Sequence, residues 1–345
     1  MSSLEAVTRF GLDTEFLRER TYRAELCLVQ ISFATEAVCI DPLQVADLGP
    51  LARLLTDSRI QKVMHAARQD IEVLHPLAGI VRPVFDTQIA AALSGLPVQI
   101  GYAELVRRLV GRDLPKTHTR TDWSRRPLSP EQMDYALDDV RYLIPLQQIL
   151  EEQLERSGRL PWLAEELQAL EAVRVKTEPE EAWRRIKGLG AIDPGRERLA
   201  RLLGAWRERR AIERNRPRGW ILDDVVLRDI VMQVPRSVTA LASMPALPAG
   251  TLKHSAEELL ECVHAAQVPD PAPPINTRRR PDPLKSALVR KLGALNQAIA
   301  ADLGLSPEVL ATRRDLEQLA EGRRDLNVLR GWRRGIVGEH MLAAL

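Results

Sequence analysis

The sequence has few cysteines, few aromatic residues and no long apolar run. The three cysteines, Cys27, Cys39 and Cys262, lack the close spacing of a zinc site, so we expect them to be reduced and free of metal. Phe, Trp and Tyr make up 4% of the chain, so the core must be built mainly from aliphatic residues. No apolar run approaches the ~18 residues of a membrane span, and no signal-peptide pattern is present. We therefore expect a cytoplasmic protein without a membrane partner.

Two glycine motifs that bind nucleotide phosphates are also missing. The sequence has no G-x4-GK[ST] loop, which excludes the usual ATP-binding loop, so no use of ATP is expected. It has no G-x-G-x-x-G either, because the pair Gly188 and Gly190 lacks the third glycine. A dinucleotide-binding domain is therefore excluded as well.

Arginine is concentrated in a few places, although the net charge is only +2. One group lies in residues 207–218, a second at residues 278–280 and a third near the end of the chain. Local basic patches favour phosphate-rich partners through counterion release. Because Glu208 and Glu213 interrupt the first group, a solvated helix face with internal ion pairs is an equally good interpretation.

The first 150 residues mix strand-like and helix-like segments, whereas the rest of the chain is helical. Apolar β-rich runs predict strands, and 3.6-residue periodicity predicts helices that include one over residues 84–93. Ser129, Pro130 and Gln132 predict a helix start with a capping box. We therefore predict an α/β domain followed by two all-α modules. The boundaries are an α/β domain at 1–150, a helical connector at 151–196, a helical module at 197–268, a linker rich in Pro and Arg at 269–283, and a second helical module at 284–345.

Acidic residues at three places in the α/β part are candidates for a site. Asp13 and Glu15 are two apart on a predicted strand and so point to the same face. Asp70 begins a predicted helix, and Tyr135 and Asp139 share one helix face because they are four apart. Each signal has a plain alternative: two turn residues, a helix-start acid stabilised by the dipole, and a surface aspartate beside a core tyrosine.

Taken together, these residues suit one kind of chemistry. Mg²⁺ and Mn²⁺ prefer oxygen ligands and take only a few from protein. Two such ions at ~3.5–4 Å separation stabilise the attacking and leaving oxygens of a phosphodiester. A tyrosine hydroxyl on the same helix as one ligand could orient the attacking water.

The order D-x-E, H-x4-D, Y-x3-D resembles the tyrosine-bearing branch of the DEDD exonuclease superfamily, and within it the ribonuclease D family. Supporting segments are LCLVQIS (26–32), FDTQ (85–88) and the loop 116–128 with its DWSRRPL. The segment before GLDTEF is short, where family members usually carry an extra strand and helix. The resemblance spans residues 10–146. It implies an RNase H-like fold with a mixed sheet, and release of nucleoside 5′-monophosphates from a free 3′ end.

By position, the resemblance implies that Asp13, Glu15, Asp70 and Asp139 bind two metal ions, Mg²⁺ or Mn²⁺. Asp13 would bridge the ions, Glu15 and Asp139 would hold the ion that activates water, and Asp70 would serve the other. Tyr135 would position the nucleophile. We also predict that the polar loop before the last motif lines the RNA path through Lys116, Arg120, Asp122, Trp123 and Arg126. A surface loop with an internal Asp–Arg pair is the alternative for these residues.

Residues 197–268 resemble an HRDC domain, a small helical bundle, through LLGAWRERRAIERNRPRGWILDDVVLRDIV. That resemblance implies phosphate contacts from the 207–218 group, including Arg210 and Arg214, and a base-stacking ring from Trp220. Core packing of Trp220 is equally open. Residues 284–345 are similar to a second, degenerate HRDC-like domain.

Three hypotheses for function follow. The first is a 3′→5′ exoribonuclease that trims structured RNA with a free 3′ end, such as tRNA precursors. The second is a DNA exonuclease of the same superfamily, and the third is a non-catalytic RNA-binding adaptor. The first is favoured because all four acids and Tyr135 are present, and the helical modules resemble those of RNA enzymes. We expect a monomer.

Overall fold

The computed structural model describes residues 8–33, 36–115, 121–172, 178–189, 192–267 and 283–345. These residues form two compact units. The first unit lies within residues 1–17, 26–174 and 281–345, and the second lies within residues 18–25 and 175–280. In these described ranges, no helix is long and apolar enough to cross a membrane.

The first unit is built on a five-stranded mixed sheet. Its strands are β1 (Arg9–Leu17), β2 (Glu25–Phe33), β3 (Glu36–Ile40), β4 (Gln61–Met64) and β5 (Val84–Asp86). Their order in the sheet is β3-β2-β1-β4-β5. β4 is parallel to β1 and to β5, and β2 is antiparallel to β3. The predicted mixed α/β sheet is confirmed.

Helices cover both faces of this sheet, and more helices follow in the C-terminal segment. The first group is α1 (Gly49–Thr56), α2 (Arg68–Ala78), α3 (Thr87–Leu93), α4 (Tyr102–Leu109), α5 (Pro130–Arg141), α6 (Leu143–Arg156) and α7 (Leu160–Glu171). The capping box predicted at Ser129 is present, because its side chain accepts from the backbone N–H of Gln132, whose side chain accepts in return from the backbone N–H of Ser129.

The prediction of a helix over residues 84–93 is wrong for the first three residues. Val84–Asp86 form strand β5, which is parallel to β4, and the helix α3 begins only at Thr87. Val84 and Phe85 are both buried, as suits an inner strand segment. Asp86 then caps α3, since its carboxylate accepts hydrogen bonds from the backbone N–H groups of Gln88 and Ile89. A cap of this kind ends the strand and starts the helix.

Strand β1 separates an apolar face of the sheet from an acidic one. Phe10 and Leu12 are fully buried in a core that includes residues of α1 and α2. Because side chains alternate along a strand, Gly11, Asp13 and Glu15 point to the other face, which α5 and α6 cover. The two acids of β1 therefore lie beneath α5.

A glycine at position 11 lets α5 approach the sheet closely. A Cβ built on Gly11 would lie 2.3 Å from Ser32 Oγ and 3.1 Å from the carbonyl oxygen of Val140. Ser32 Oγ in turn donates a 2.7 Å hydrogen bond to that same carbonyl. Any larger residue at position 11 would push the helix, and the side chains it carries, away from β1.

The C-terminal segment packs into the same hydrophobic core as α3, α6 and α7. Its helices are α13 (Pro283–Leu303), α14 (Pro307–Leu310), α15 (Arg313–Ala320), α16 (Gly331–Arg333) and α17 (Glu339–Ala343), with a 3-10 turn at Asn327–Leu329 and a π turn at Arg334–Gly338. The rings of Trp162 and Trp332 stack with centroids 4.3 Å apart, and Glu166 accepts hydrogen bonds from Trp332 Nε1 and Arg333. The boundaries drawn from the sequence stay predictions, but this segment shares its core with the α/β part.

The second unit is a helical bundle with its own core. It contains a 3-10 turn at Pro179–Arg185 and the helices α8 (Pro194–Arg214), α9 (Arg218–Ile221), α10 (Asp224–Gln233), α11 (Val238–Ala242) and α12 (Ala249–Gln267). Its core includes Trp183, Leu203, Leu227 and Leu259. The predicted all-α character of residues 197–268 is confirmed over the described part.

Candidate active site

The four candidate acids and the candidate tyrosine come from three elements. Asp13 and Glu15 lie on β1, Asp70 lies in the first turn of α2, and Tyr135 and Asp139 lie one turn apart on α5. Asp70 is buried, with 7% of its surface exposed, and the other four residues are partly buried. A strand, a helix N-terminus and a helix face thus each contribute to one region.

Strand β1 is tied directly to the start of α2. Thr14, which lies between the two acids of β1, donates a 2.5 Å hydrogen bond from its hydroxyl to Asp70 Oδ1. Both residues are buried, so the bond is protected from water. No sequence motif marks Thr14, because a threonine on a strand carries no signal of its own.

The two acids on β1 hold their protons more tightly than free carboxyl groups. Burial, together with the negative charges of Asp70, Asp139 and Glu15, raises the pKa of Asp13 well above its ordinary 3.8. Burial, and then the charges of Asp139 and Asp70, raises the pKa of Glu15 from 4.5 to about 8. Each acid thus senses the acids of the other elements, so the carboxylates share one electrostatic environment.

The other two acids are shifted in the same direction. Burial raises the pKa of Asp70 to about 6, although the hydrogen bond from Thr14 opposes the shift. Burial and the neighbouring Asp138 raise the pKa of Asp139 to about 7. The interpretation of these acids as solvated turn or surface residues does not fit their burial. A cluster of raised carboxyl pKa values in one cleft is typical of functional sites.

Tyr135 keeps its proton at neutral pH. Burial, followed by the negative charge of Asp139, raises the pKa of its hydroxyl to about 12. Its ring stacks on the buried indole of Trp123, with centroids 6.2 Å apart and planes inclined by 27°. Trp123, which lies outside α5, therefore supports the ring of Tyr135. Because the phenol stays neutral, it can act through hydrogen bonds but not as an anionic base.

Two further residues that the sequence analysis missed hold the helices of the site. Tyr102 donates from its hydroxyl to the carbonyl of Asp138 and accepts from the backbone N–H of Tyr142, both at 3.1 Å, at the C-terminal end of α5. Asp86 accepts from the N–H groups of Ala66 and Ala67 at 3.1 and 2.8 Å, just before α2 begins. Only Asp86 had a sequence signal, as part of the FDTQ segment.

The donor set fits hard divalent cations. All four acids offer carboxylate oxygens, which Mg²⁺ and Mn²⁺ prefer, and their pKa values are raised first by burial and then by neighbouring negative charges. In the described ranges, no group of three or more His, Cys, Asp or Glu side chains is arranged to hold a metal ion. Sites for Mg²⁺ take few protein ligands per ion, and water and substrate phosphate supply the rest.

Comparisons with known proteins show the family of the chain. A family model described as 3′-5′ exonuclease matches residues 1–155, and one described as HRDC domain matches residues 196–263. Ribonuclease D of Gluconacetobacter diazotrophicus is 41% identical over 342 residues, which is 96% of this chain and 86% of that protein. Ribonuclease D of Pseudomonas paraeruginosa is 38% identical, over 97% of this chain and 91% of that protein. The chain belongs to the ribonuclease D family.

Solved structures extend the relationship to the whole fold. Escherichia coli RNase D superimposes with a TM-score of 0.89 and 31% identity, over 100% of this chain and 94% of that one. The catalytic core of RRP6 from Trypanosoma brucei follows with a TM-score of 0.62 and 25% identity, over 77% and 75% of the two chains. The protein is thus a 3′→5′ exoribonuclease, a nuclease that hydrolyses phosphodiesters, and its exonuclease family depends on divalent metal ions.

Two residues that were predicted to contact RNA, Trp123 and Arg126, instead make contacts within the protein. Trp123 is only 5% exposed, so its ring offers no free face to a base. Arg126 forms a bidentate pair with Asp41 at 2.5 and 2.7 Å and also donates to the carbonyl of Cys27 at 2.8 Å. The prediction that these two side chains line the RNA path does not fit their contacts. Lys116 and Arg120 lie outside the described residues.

In the HRDC unit, much of the arginine group at 207–218 is occupied by ion pairs. Arg207 is buried and pairs with Asp224, and Arg210 pairs with Glu258 and Glu213. The alternative of internal ion pairs therefore holds for this part of the group.

Trp220 and Arg214 remain available at the surface of the HRDC unit. Trp220 is 60% exposed, which excludes core packing as its role, and Arg216 lies over its ring at 5.6 Å. Arg214 is also exposed. An exposed ring beside arginine is the usual arrangement for base stacking, so the prediction for these residues is compatible with their positions.

Proposed function

We propose that this exoribonuclease binds two divalent ions, Mg²⁺ or Mn²⁺, through Asp13, Glu15, Asp70 and Asp139, and uses them to trim the 3′ ends of structured RNAs such as tRNA precursors. The observation that carries the proposal is that buried or half-buried acids from three elements come close enough for Asp13 and Glu15 to be affected by the charges of Asp70 and Asp139. Four carboxyl groups from three elements all have raised pKa values, and Asp13 is influenced by each of the other three.

Each acid has a separate task in this proposal. Asp13 would serve both ions, and Glu15 and Asp139 would hold the ion that activates water. Asp70 would serve the second ion, with its carboxylate fixed by the hydrogen bond from Thr14. When bound, such ions lower the pKa of coordinated water and offset the charge that develops on the phosphodiester oxygens.

Tyr135 orients the nucleophile in this proposal. Its hydroxyl stays protonated at neutral pH, and it shares a helix face with Asp139. A neutral phenol donates or accepts one directional hydrogen bond, which suits the placement of a water molecule for in-line attack. The indole of Trp123 stacks on the Tyr135 ring and so limits the orientations of the phenol.

Structured RNA is the substrate class that the relatives favour. Escherichia coli RNase D is described as an exoribonuclease involved in structured RNA processing. In this chain, Trp220 and Arg214 in the HRDC unit present a stacking ring and a cation that suit unpaired bases and phosphates. Independence from ATP, a cytoplasmic location and a monomeric state stay predictions of the sequence.

The test uses the purified full-length chain with an RNA that has a base-paired stem, a single-stranded 3′ tail and a label at its 5′ end. We expect stepwise shortening in Mg²⁺ or Mn²⁺ and none in EDTA. A DNA oligonucleotide of the same sequence is the matched control and should be trimmed more slowly. Faster trimming of DNA would reject RNA as the substrate, and RNA binding without trimming in either metal would reject the catalytic site.

A further inference from the structure

Gln30 is a buried polar residue with no apparent function in the fold. It lies in the middle of β2 with none of its surface exposed. Neither Nε2 nor Oε1 of its amide has a hydrogen-bond partner among the described residues. A buried amide without a partner destabilises a fold, whereas an apolar residue of similar shape would not. A role at a functional site is one of the reasons why a native fold keeps such a group.

The contacts of the neighbouring residues show where this side chain points. Leu28 packs in one cluster with Ala136 of α5. Ser32 donates a hydrogen bond to the carbonyl of Val140, one turn further along α5. Because every second residue of a strand shares a face, Gln30 also faces α5, between these two contacts.

The same face carries the acids of β1, the strand next to β2 in the sheet. A Cβ built on Gly11 would meet Ser32 Oγ, so Gly11 and Ser32 share a face. Asp13 and Glu15 follow Gly11 in steps of two and therefore lie on that face as well. The side chain of Gln30 thus lies buried on the sheet face that carries the acids of β1 and that α5 covers.

We propose that Gln30 is a positioning residue for the metal site, whose amide N–H donates a hydrogen bond to the Asp13 carboxylate in the ion-bound protein. The inference rests on the proposed function. The seven residues between β1 and β2 are too few for a parallel crossover, so the two strands are antiparallel. Because Gly11 meets Ser32, a step of two residues along each strand brings Asp13 opposite Gln30. A neutral amide supports the charge without competing for the ions.

The proposal predicts effects of opposite sign on stability and on ion binding. The substitution Gln30→Met keeps the length of the side chain and removes both polar atoms. Metal-free Gln30→Met should unfold at the same temperature as wild type or about 2–6 °C higher, because an unpartnered amide is removed. Its affinity for Mn²⁺ should be about 10–100-fold weaker, the usual loss when a residue that supports a metal ligand is removed. A residue that only fills space would not separate the two measurements.

The experiment measures the unfolding temperature of the metal-free full-length protein and the Mn²⁺ affinity by titration calorimetry without RNA. Gln30→Leu is a second variant, in case the methionine side chain packs poorly. Ile31→Met is the matched control, since Ile31 is the next residue on β2 and packs in the core on the opposite face. The control should keep the wild-type Mn²⁺ affinity.

Each outcome decides the inference. Weaker Mn²⁺ binding with unchanged or higher thermal stability supports it. Wild-type Mn²⁺ affinity in both Gln30 variants overturns it, and so does a lower unfolding temperature in both, because the amide would then be stabilising the metal-free fold. If the wild-type protein binds no Mn²⁺, the proposed ion site itself fails, and that result is distinct from a Gln30 variant that binds as well as wild type.

Discussion

The indole of Trp123 stacks on the phenol ring of Tyr135, with ring centroids 6.2 Å apart and planes inclined by 27°. Trp123 is buried in a small cluster with Cys27, Leu28 and Ala136, while Tyr135 packs at its edge. The loop that carries Trp123 therefore supports Tyr135, the side chain that we propose orients the attacking water. Its contribution to catalysis is indirect, through the ring it holds.

Replacing Trp123 by Leu should lower kcat by about 10–100-fold and leave KM for RNA within about 3-fold of wild type, because Tyr135 loses the surface that orients it. Steady-state kinetics on the tailed RNA separates the two constants. Tyr135→Phe is the control, as it keeps the stack and removes only the hydroxyl, and it should also act mainly on kcat. A rise in KM with normal kcat for Trp123→Leu would instead indicate a direct RNA contact.

Replacing Thr14 by Val removes the hydroxyl that donates to Asp70 and keeps the shape of the side chain. Because this bond lowers the pKa of Asp70, its loss should raise that pKa above about 6 and weaken Mn²⁺ binding by about 10-fold. Carboxyl ¹³C NMR titration and calorimetry measure the two effects. Thr14→Ser, which keeps the hydroxyl, should behave as wild type. Unchanged values in Thr14→Val would show that the bond does not matter to the site.

The stability of the metal-free protein should fall as the pH rises from about 4 to 8 on account of the acidic cluster. Burial and neighbouring charges place the pKa values of Asp70, Asp139 and Glu15 at about 6, 7 and 8, above their ordinary values of 3.8, 3.8 and 4.5. In this window the unfolded chain has released protons that the folded protein still binds, so each pH step favours unfolding. Ion binding should accordingly release protons.

Thermal unfolding of the metal-free protein at pH 5 and pH 8 measures this effect. Burial lowers the pKa of His65, and this shift makes stability rise with pH. The effect of the acids is therefore measured as the difference between wild type and a variant that lacks two of them. The double variant Glu15→Gln, Asp139→Asn should lose less stability between these pH values than wild type, and saturating Mn²⁺ should reduce the loss in wild type. Equal losses in both proteins would contradict the raised pKa values.

Replacing Arg126 by Ala should destabilise the fold by about 2 kcal/mol, since it removes charge-assisted hydrogen bonds to Asp41 and a bond to the Cys27 carbonyl. RNA affinity and its dependence on salt should stay as in wild type. Urea unfolding and binding titrations at several salt concentrations check both statements. Arg125→Ala is the control, because that side chain is 84% exposed and should change stability little. If stability is unchanged and RNA affinity depends less steeply on salt concentration, Arg126 contacts RNA as the sequence predicted.

The sequence predicted the elements of the site because its motifs depend on local geometry. D-x-E on a strand and Y-x3-D on a helix place side chains on shared faces, and the structure shows these faces at β1 and α5. The capping box at Ser129 is equally local and was confirmed. Sequence patterns of this kind need no knowledge of distant residues.

The errors concern contacts between residues far apart in the chain. Arg126 resembled an RNA contact because its partner, Asp41, lies 85 residues away. Residues 84–93 have helical periodicity, yet pairing with β4 makes their first three residues a strand. Similarly, no local pattern shows that Trp332 stacks on Trp162, so the C-terminal segment resembled a separate module. Tertiary partners decide such cases, and a single sequence does not reveal them.

The most direct test of the catalytic site compares Asp139→Ala with wild type on the 5′-labelled, 3′-tailed RNA in Mg²⁺ or Mn²⁺. Asp134→Ala is the matched control on the same helix, since Asp134 is an exposed residue paired with Arg141. The account predicts that Asp139→Ala binds RNA normally but trims it on the order of 10³-fold more slowly, while the control trims at nearly the wild-type rate. Full trimming by Asp139→Ala would contradict the assignment of the four acids.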